Sequence, residues 1–386
     1  MEFPDIVFIS MEDWDEVWRR NQFICSKLAK RFPDSKILFV GLPKYILRTQ
    51  GMTFTPQDLS NITVTGAFKF LPNSIEWGRR FNELSFRIHA RNLAEKIGIK
   101  NPILWINSHY AVHMIGKMDE CSVIYDITDD WTAFPQAVRL TKQITEQDAE
   151  LCRLADAVIV CSQHLHDLKR SMTQNLHLIP NGVDTEHYAA VLDKTGPIPA
   201  SLLSCPKPIL GYLGSSHSAR LDLDLLENMA RRLEMGSIVL VGPDMLRNNE
   251  RQRLKSHKNI YYIGSVPYEK VPDYLRAFDV CIVPHKVTPF TESLNPIKLW
   301  EYLASGKPIV STNVAGFRDF PQFVRIAHEG DTFIRVAQES LKEDPGVAEA
   351  RRREAQGNSW ELRIDAICAV IHDCLRNRAA ENNHGK

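Results

Sequence analysis

Short runs of apolar and β-branched residues alternate along this chain with longer stretches of helical periodicity. The apolar runs are nearly continuous, as expected of parallel strands that are buried on both faces. The predicted strands of the first half span residues 6–10, 36–40, 62–65, 103–106, 123–126, 157–161 and 177–179. Those of the second half span residues 209–213, 238–241, 260–263, 280–283 and 309–311. The alternation predicts an α/β fold made of βαβ units with doubly wound parallel sheets.

The alternation of predicted strands and helices is interrupted once, between residues 184 and 208. Four prolines and Gly196 crowd into the end of this stretch, a composition typical of a linker between two domains. The predicted order is an N-terminal domain over 1–183, a linker over 184–207, a C-terminal domain over 208–358, a last helix over 359–378 and a disordered polar tail over 379–386.

Composition excludes several classes of protein. Lys and Arg number 47, as do Asp and Glu, so the net charge of zero argues against a nucleic-acid partner bound by bulk basic charge. No apolar run approaches the roughly 20 residues of a membrane-spanning helix. Residues 1–13 carry acids without a basic stretch, so we expect no secretory signal. The eight cysteines form no CxxC pair and predict reduced thiols in a cytosolic protein.

Binding residues are expected in the loops that follow the strands, because ligands of open parallel sheets bind at the carboxyl ends of the strands. Small residues there let backbone N–H groups approach a phosphate, and a following helix start favours negative charge. Arg220 can add a bidentate contact. The loop residues expected at such a site are Gly214, Ser215, Gly242, Pro243 and Val266. The alternative interpretation is that the glycines only permit tight turns.

The segment from residue 293 to residue 310 is the most informative part of the chain. Pro296 suits the first turn of a helix, and Gly306 followed by Pro308 suits its end. Lys298 and Glu301, three residues apart, share one helix face. The helix N-terminus with Lys298 can hold a diphosphate, while Glu301 can accept two vicinal ribose hydroxyls. The alternative is a solvated ion pair, although the neighbouring residues are apolar.

This segment resembles the donor-binding signature of the GT-B glycosyltransferases, specifically the group 1 (family 4) enzymes. Similar family motifs are Ile-Pro-Asn-Gly-Val-Asp at 179–184, Gly-Lys-Pro-Ile-Val at 306–310 and Ser359-Trp360. The resemblance runs over most of residues 100–375. It implies two Rossmann-like domains that face each other across a cleft, with a nucleotide-sugar held mainly by the second and an acceptor on the first. It also implies that the last helix crosses back onto the first domain.

The resemblance also assigns roles to residues. Glu301 matches the second glutamate of the family's paired motif and would bind the ribose, whereas Ser293 occupies the usual place of the first glutamate, one residue after Glu292. Ser215 stands where an arginine often lies and Arg220 falls near the usual lysine, so that Lys298 would compensate. The donor-binding residues implied in this segment are Glu292, Ser293, Leu294, Asn295 and Glu301. Arg220 and Lys298 would act on the departing diphosphate.

Two candidates for catalysis follow strands of the first domain. Asp126 is nearest to the position of a histidine that the family's enzymes commonly carry, and His109 follows the strand at 103–106. Asp126, Asp129 and Asp130 could together chelate a divalent metal, or one of the latter two could cap the next helix. Because basic residues and helix dipoles neutralise the diphosphate in this family, we expect neither a metal nor another cofactor.

The resemblance implies a cytoplasmic enzyme that moves a sugar from a nucleoside diphosphate donor, UDP in our prediction, to a glycan or lipid-linked acceptor during polysaccharide or cell-envelope biosynthesis. It implies retention of the anomeric configuration. An inverting enzyme would need a side-chain base, for which Asp126 and His109 are the candidates. The alternatives are a sugar-nucleotide epimerase of the same architecture and a non-catalytic subunit that binds a nucleotide-sugar.

Residues 77–91 mix arginines with aromatic residues at helical spacing. One interpretation is peripheral contact with an anionic membrane leaflet, which would place the enzyme at the cytoplasmic face of the membrane and suit a lipid-linked acceptor. The other, which the nearby glutamates favour, is a plain solvated helix face.

Overall fold

The computed structural model describes residues 3–45, 53–193 and 195–384. The chain divides into two compact units, of which the first comprises Met1–Pro180 with Arg363–Lys386 and the second Asn181–Leu362. Each unit is built around one sheet of parallel strands. Among the described helices, none is both long and apolar enough to cross a bilayer.

The first unit contains a seven-stranded sheet in the order β3-β2-β1-β4-β5-β6-β7. Its strands are β1 (Ile6–Ile9), β2 (Ile37–Tyr45), β3 (Ile62–Lys69), β4 (Ile103–Ile106), β5 (Ser122–Ile127), β6 (Ala157–Val160) and β7 (Leu176–Leu178). Its helices are α1 (Arg20–Arg31), α2 (Glu76–Lys96), α3 (Val138–Leu154) and α4 (Gln163–Lys169), with a 3-10 helix at His109–Met114. Every residue of β1, β4, β5 and β6 is buried, which explains their nearly continuous apolar sequences.

The second unit contains a six-stranded sheet in the order β10-β9-β8-β11-β12-β13. Its strands are β8 (Ile209–Leu213), β9 (Ser237–Val241), β10 (Ile260–Gly264), β11 (Val280–Val283), β12 (Ile309–Ser311) and β13 (Val324–Ile326). Its helices are α5 (Thr185–Ala189), α6 (Leu223–Arg232), α7 (Asn248–Lys255), α8 (Val271–Ala277), α9 (Pro289–Glu292), α10 (Ile297–Ser305), α11 (Gly330–Ser340) and α12 (Pro345–Gln356). The last helix, α13 (Trp360–His384), begins in this unit.

Both sheets have the strand order of a Rossmann fold, in which the first strand of the unit lies at the centre and the chain winds outward on both sides of it. In the first unit Val7 of β1 lies between Leu38 and Leu104, and in the second Gly211 of β8 pairs with Val239 and Cys281. Every predicted strand coincides with an observed one. The predicted α/β fold with two doubly wound parallel sheets is therefore confirmed.

The stretch predicted as a linker, residues 184–207, lies within the second unit. It contains α5 and two 3-10 helices at Ala190–Leu192 and Ala200–Leu202. Tyr188, Val191 and Leu202 from this stretch are buried in the same apolar core as α8 and α10. Because these side chains remove apolar surface from water, the stretch is a packed part of the unit rather than a free connection.

The last helix is longer than the sequence predicts. Residues 379–384, predicted as a disordered tail, continue α13 as far as His384, and residues 385–386 lie outside the described part of the chain. Near this end, Arg378 of α13 forms an ion pair with Asp156 at 2.9 Å, within the first unit. The structure thus gives residues 379–384 a helical backbone where the sequence predicts a disordered tail.

Candidate active site

Three glycines follow one another across the carboxyl edge of the second sheet. The Gly214 amide donates to the Val241 carbonyl at 2.8 Å, and the Gly242 amide donates to the Gly264 carbonyl at 2.8 Å. Gly214 and Gly242 have φ angles of +141° and +134°, which residues with a side chain rarely adopt. A Cβ atom at Gly242 would also overlap the Gly214 carbonyl. This edge therefore presents bare backbone at the ends of β8, β9 and β10.

Helix α10 begins beside this edge. Pro296 precedes its first residue, Ile297, and Gly306 ends it in the left-handed conformation with a φ of +70°, so the predicted start and end of the helix are confirmed. Lys298 lies in the first turn, where the unpaired N–H groups of the helix favour negative charge. A Cβ atom at Gly214 would lie 2.5 Å from the Lys298 ammonium nitrogen, so the ammonium group lies against the glycine backbone.

Lys298 belongs to a cluster of basic groups around one phenol. Its Nζ donates to the Tyr212 hydroxyl at 2.8 Å and lies 4.2 Å from the centre of the Tyr212 ring. The same hydroxyl lies 3.1 Å from the Nε2 atom of His285. The Arg220 guanidinium, 5.2 Å from the centre of the Phe290 ring, is close enough to perturb Lys298, Tyr212 and His285. We call Lys298, Arg220, His285 and Tyr212 the basic cluster.

The basic cluster holds several groups that can carry positive charge close together, where little solvent reaches them. Burial, reinforced by the positive charge of Arg220, lowers the pKa of Lys298 to about 7, against the opposing effect of Glu301. Burial and the same two cations, Lys298 and Arg220, hold the pKa of His285 well below its usual value. A bound anion would relieve this repulsion, and perturbed groups of this kind are concentrated at functional sites.

Glu301 lies one helical turn beyond Lys298 and is half-buried. Its Oε1 atom accepts a hydrogen bond from the Tyr188 hydroxyl at 2.6 Å. Burial raises the pKa of Glu301, while the Tyr188 hydrogen bond and the Lys298 charge act in the opposite direction. Within the described residues, Lys298 and Glu301 form no ion pair with each other, and their hydrogen bonds go to Tyr212 and Tyr188. The predicted alternative of a solvated ion pair is therefore wrong, because each group has a separate phenol partner.

The partner of Glu301 comes from the stretch that we predicted to be a linker. Tyr188 is fully buried on α5, and its ring contacts that of Tyr268 edge-on at 6.4 Å. His187 stacks on Tyr268 with ring centres 4.1 Å apart. Sequence reasoning missed Tyr188, Tyr212 and His285. The one local signal for Tyr188 is its place in the short helix capped by Asp184, the last residue of the motif at 179–184.

The segment before α10 is held mainly by other protein groups. The Glu292 carboxylate pairs with the Arg318 guanidinium, with Nη1 to Oε1 at 3.0 Å. The Asn295 side-chain carbonyl accepts from the Asn181 amide at 2.9 Å, so this loop is tied to the motif at 179–184. A donor contact by Glu292 would have to compete with its arginine partner.

Ser293 and Leu294 are buried, and the Ser293 hydroxyl donates to the Phe290 carbonyl at 2.8 Å. Val266 packs in the core of the second unit. Both side chains are enclosed by protein, so a donor contact at Ser293 or Val266 would have to come from the backbone, and the donor-binding role of these residues stays a prediction. Ser215 and Pro243 are half-buried beside the glycine edge, where the Ser216 amide donates to the Pro243 carbonyl at 2.8 Å.

The structure corrects the prediction for Asp126 in the first unit. This residue is the fifth of β5 and is fully buried, and the Nε atom of Arg20 lies 3.0 and 3.1 Å from its two carboxylate oxygens. Arg20 is itself buried at the start of α1. A carboxylate held on both oxygens by a buried arginine is not free to take a proton from a substrate. We assign Asp126 a structural role.

His109 opens a 3-10 helix after β4 and is half-buried. Burial lowers the pKa of its imidazole to about 4, although the negative charge of Asp148 opposes this shift. The imidazole is therefore neutral near pH 7 and keeps one nitrogen able to accept a proton. Its catalytic role stays a prediction.

The aspartates that follow Asp126 do not form a metal site with it. Asp130 accepts a hydrogen bond from the Thr132 amide at 3.0 Å and so closes a local turn rather than capping α3, which begins at Val138. In the part of the chain that the structure describes, no group of three or more His, Cys, Asp or Glu side chains is placed to hold a metal ion.

Comparison with known proteins matches the second unit to a family. Residues 207–343 match the model of the family described as glycosyl transferases group 1. Over 256 residues the chain is 28% identical to a Bacillus subtilis (strain 168) protein provisionally assigned as the teichuronic acid biosynthesis glycosyltransferase TuaH. This match covers 62% of the chain and 64% of the relative, which is less than two thirds of the relative's length.

Solved structures resemble the chain over nearly its whole length. The sucrose-phosphate synthase of Thermosynechococcus elongatus has a TM-score of 0.72 at 16% identity and covers 97% of this chain and 100% of its own. HepE of Anabaena, solved with UDP and glucose, has a TM-score of 0.67 at 14% identity and covers 96% and 100%. An α,α-trehalose-phosphate synthase (UDP-forming) of Burkholderia vietnamiensis has a TM-score of 0.69 at 12% identity and covers 98% and 100%.

The two Rossmann-like sheets and these structural likenesses define the GT-B fold. Residues 207–343 of the second unit are in addition similar to the glycosyl transferases of group 1, and the chain is similar to a relative assigned as a glycosyltransferase. The resemblance read from the sequence is thereby confirmed.

Proposed function

We propose that this chain transfers a sugar from a UDP-linked donor to a glycan or lipid-linked acceptor, and that the reaction builds a cell-envelope polysaccharide. UDP is supported by the neighbours that were solved with it or are described as forming it. A polysaccharide product is supported by the teichuronic acid assignment of the Bacillus subtilis relative.

The observation that carries the proposal is the arrangement of Lys298 and Glu301 on one helix beside the glycine edge. The Lys298 ammonium lies against Gly214, where bare backbone and the start of α10 favour a diphosphate. One turn further on, Glu301 keeps Oε2 for a second contact while Tyr188 occupies Oε1. A ribose with two vicinal hydroxyls, linked to a diphosphate, presents the groups that match this pair.

The proposed reaction retains the configuration of the anomeric carbon. The bond from that carbon to the phosphate oxygen breaks, and its electron pair moves to the departing diphosphate. The acceptor hydroxyl bonds to the carbon on the same face and passes its proton to the departing phosphate oxygen. Lys298, Arg220 and the first turn of α10 stabilise the charge that develops. An NMR assignment of the product anomer tests this, and an inverted product would contradict it.

Binding of UDP is tested by thermal unfolding with a panel of UDP, GDP, ADP and CDP. A ligand that binds only the folded state at 100 times its dissociation constant stabilises it by about 2.7 kcal/mol, so UDP should raise the melting temperature most. A larger shift with another nucleotide would contradict the choice of UDP. An epimerised, still nucleotide-linked sugar after incubation of the donor alone would contradict transfer itself.

Replacing Glu301 with alanine is expected to weaken UDP binding by about 1–3 kcal/mol, because charge-assisted hydrogen bonds to the ribose are lost. Isothermal titration calorimetry measures the change. The substitution should weaken the binding of uridine monophosphate as much as that of UDP, since both ligands carry the same ribose. Glu349→Ala, which removes an exposed carboxylate from α12, is the matched control and should bind as the wild type does. Unchanged UDP affinity in Glu301→Ala would contradict the ribose role.

Replacing Tyr188 with phenylalanine should weaken UDP binding by a smaller amount, about 1 kcal/mol, because the ring stays while the hydroxyl that orients Glu301 is lost. The loss of that hydrogen bond should also raise the pKa of Glu301 further, so binding should fail at a higher pH on acidification than in the wild type. Calorimetry at a series of pH values measures both effects. An identical pH profile in the variant would show that Tyr188 only fills space.

A further inference from the structure

Helix α2 carries apolar side chains on two opposite faces. The face toward the core contains the buried residues Gly78, Asn82, Phe86, Ala90 and Ala94. At 100° per residue, a second row made of Trp77, Phe81, Leu84 and Ile88 points away from that core. We call these four residues the outward row.

The outward row is exposed to solvent along its whole length. The exposed fractions are 63% for Trp77, 48% for Phe81, 43% for Leu84 and 49% for Ile88. A surface helix of a globular protein normally has polar residues on this side. This face is therefore exposed to solvent, as the sequence favours, but the residues of the outward row are aromatic and aliphatic rather than polar.

The apolar surface continues beyond the helix. Phe70, in the loop before α2, is exposed and contacts Phe81 edge-on with ring centres 5.9 Å apart. Val138 at the start of α3 is 86% exposed, and the next residue, Arg139, donates from Nη2 to the Ser74 carbonyl at 3.4 Å in the same loop. The outward row and Phe70 thus form one exposed apolar patch, and Val138 lies on a helix that is tied to the same loop. Contiguous exposed apolar surface of this kind marks an interaction site.

Positive charge borders the outward row on one side. Arg80, Arg87 and Arg91 all lie along the same edge of it, given the helical spacing. Arg80 pairs with Glu76 at 2.6 Å, and Arg91 pairs with both Glu95 at 2.9 Å and Asp119 at 2.8 Å, but these pairs are exposed and contribute little to stability. Their guanidinium groups can therefore exchange a carboxylate for a phosphate at small cost.

We propose that this face of the first unit binds the surface of an anionic lipid bilayer. The outward row would enter the boundary between headgroups and acyl chains, and the arginine edge would contact lipid phosphates. Trp and Phe beside arginines on a helix that lies in the plane of the surface are typical of interfacial membrane helices. Contact of this kind would bring the enzyme to a lipid-linked acceptor.

Co-sedimentation of the full chain with lipid vesicles tests the proposal without any use of the donor site. The wild type should bind vesicles that contain phosphatidylglycerol, and bind vesicles of phosphatidylcholine alone more weakly. The double change Trp77→Ser and Phe81→Ser should lower the partition coefficient on the order of 100-fold, since two aromatic side chains no longer leave water. Arg87→Gln should lower it about fivefold on anionic vesicles only.

The matched control is Leu203→Ser, which removes an apolar side chain of the second unit that is 71% exposed, more than Trp77 or Phe81. It should bind vesicles as the wild type does, and all variants should keep the wild-type melting temperature because the altered side chains are exposed. Failure of the wild type to bind anionic vesicles would overturn the proposal. Vesicle binding that is unchanged in the Trp77→Ser and Phe81→Ser double variant would also overturn it. Self-association that depends on Trp77, measured by analytical ultracentrifugation, would overturn it as well, because this face would then be a contact between copies of the chain.

Discussion

Replacing Asp126 with asparagine is expected to destabilise the protein by about 3–5 kcal/mol, because the change removes one member of the buried Arg20–Asp126 ion pair. For a unit of this size the melting temperature should fall by roughly 6–20 °C. Urea unfolding measures the free energy, and far-UV circular dichroism during heating measures the midpoint. The base that the sequence predicts would give the opposite result, namely lost turnover with unchanged stability.

The double change Arg20→Met and Asp126→Leu removes both charges and serves as the control. It should be more stable than Asp126→Asn, since it replaces the whole buried ion pair with apolar side chains instead of removing one member of the pair. If Asp126→Asn unfolds at the wild-type urea concentration while its turnover falls, the structural role that we assign is wrong. Turnover is measured per folded molecule, at a temperature well below the lower of the two transitions.

Replacing Lys298 with methionine is expected to lower turnover by about 100- to 1,000-fold, the usual cost of removing a group that stabilises developing charge. Methionine fills the space of the lysine stem without its charge. Burial and the charge of Arg220 both disfavour the charged form of Lys298 in the folded protein. Replacement of Lys298 should therefore not lower the melting temperature of the unliganded protein. Steady-state kinetics with UDP-glucose as probe measure the turnover, with Lys255→Met, an exposed position on α7, as the control.

The pH dependence of donor binding gives an independent measurement on the same residue. With the pKa of Lys298 lowered to about 7, the amine of the free enzyme loses its proton as the pH rises through neutrality. Only the protonated amine attracts a diphosphate, so affinity for UDP-glucose should fall by up to about tenfold per pH unit above pH 7. The diphosphate of UDP-glucose does not titrate in this range. Lys298→Met should lack the dependence, and a flat profile in the wild type would contradict the role.

The predictions for Asp126 and Lys298 differ in how much of each could be inferred from the sequence. Lys298 and Glu301 are three residues apart on a helix whose start and end are marked by Pro296 and Gly306, so their common face follows from local geometry alone. Their hydrogen-bond partners do not follow from local geometry. Tyr212 lies 86 positions from Lys298, and Tyr188 lies 113 positions from Glu301.

For Asp126 the local pattern was misleading, because its position at the end of a strand predicted a catalytic role. The strand continues one residue further, to Ile127, and α1 brings Arg20 against the carboxylate from 106 positions away. Whether an acid faces solvent or an arginine depends on which helix covers that strand, which no local pattern specifies. The same holds for Glu292, which Arg318 holds from 26 positions away.

The sequence by itself determined the strands, their grouping into two parallel sheets and the bounds of α10, because continuous apolar runs, turn residues and helical spacing act between near neighbours. The tertiary structure alone decided which charges are buried, which phenols hold Lys298 and Glu301, and that the apolar row of α2 faces water. These features depend on the packing of elements that are far apart in the chain, and burial sets the pKa of Lys298 and Glu301 only once that packing exists.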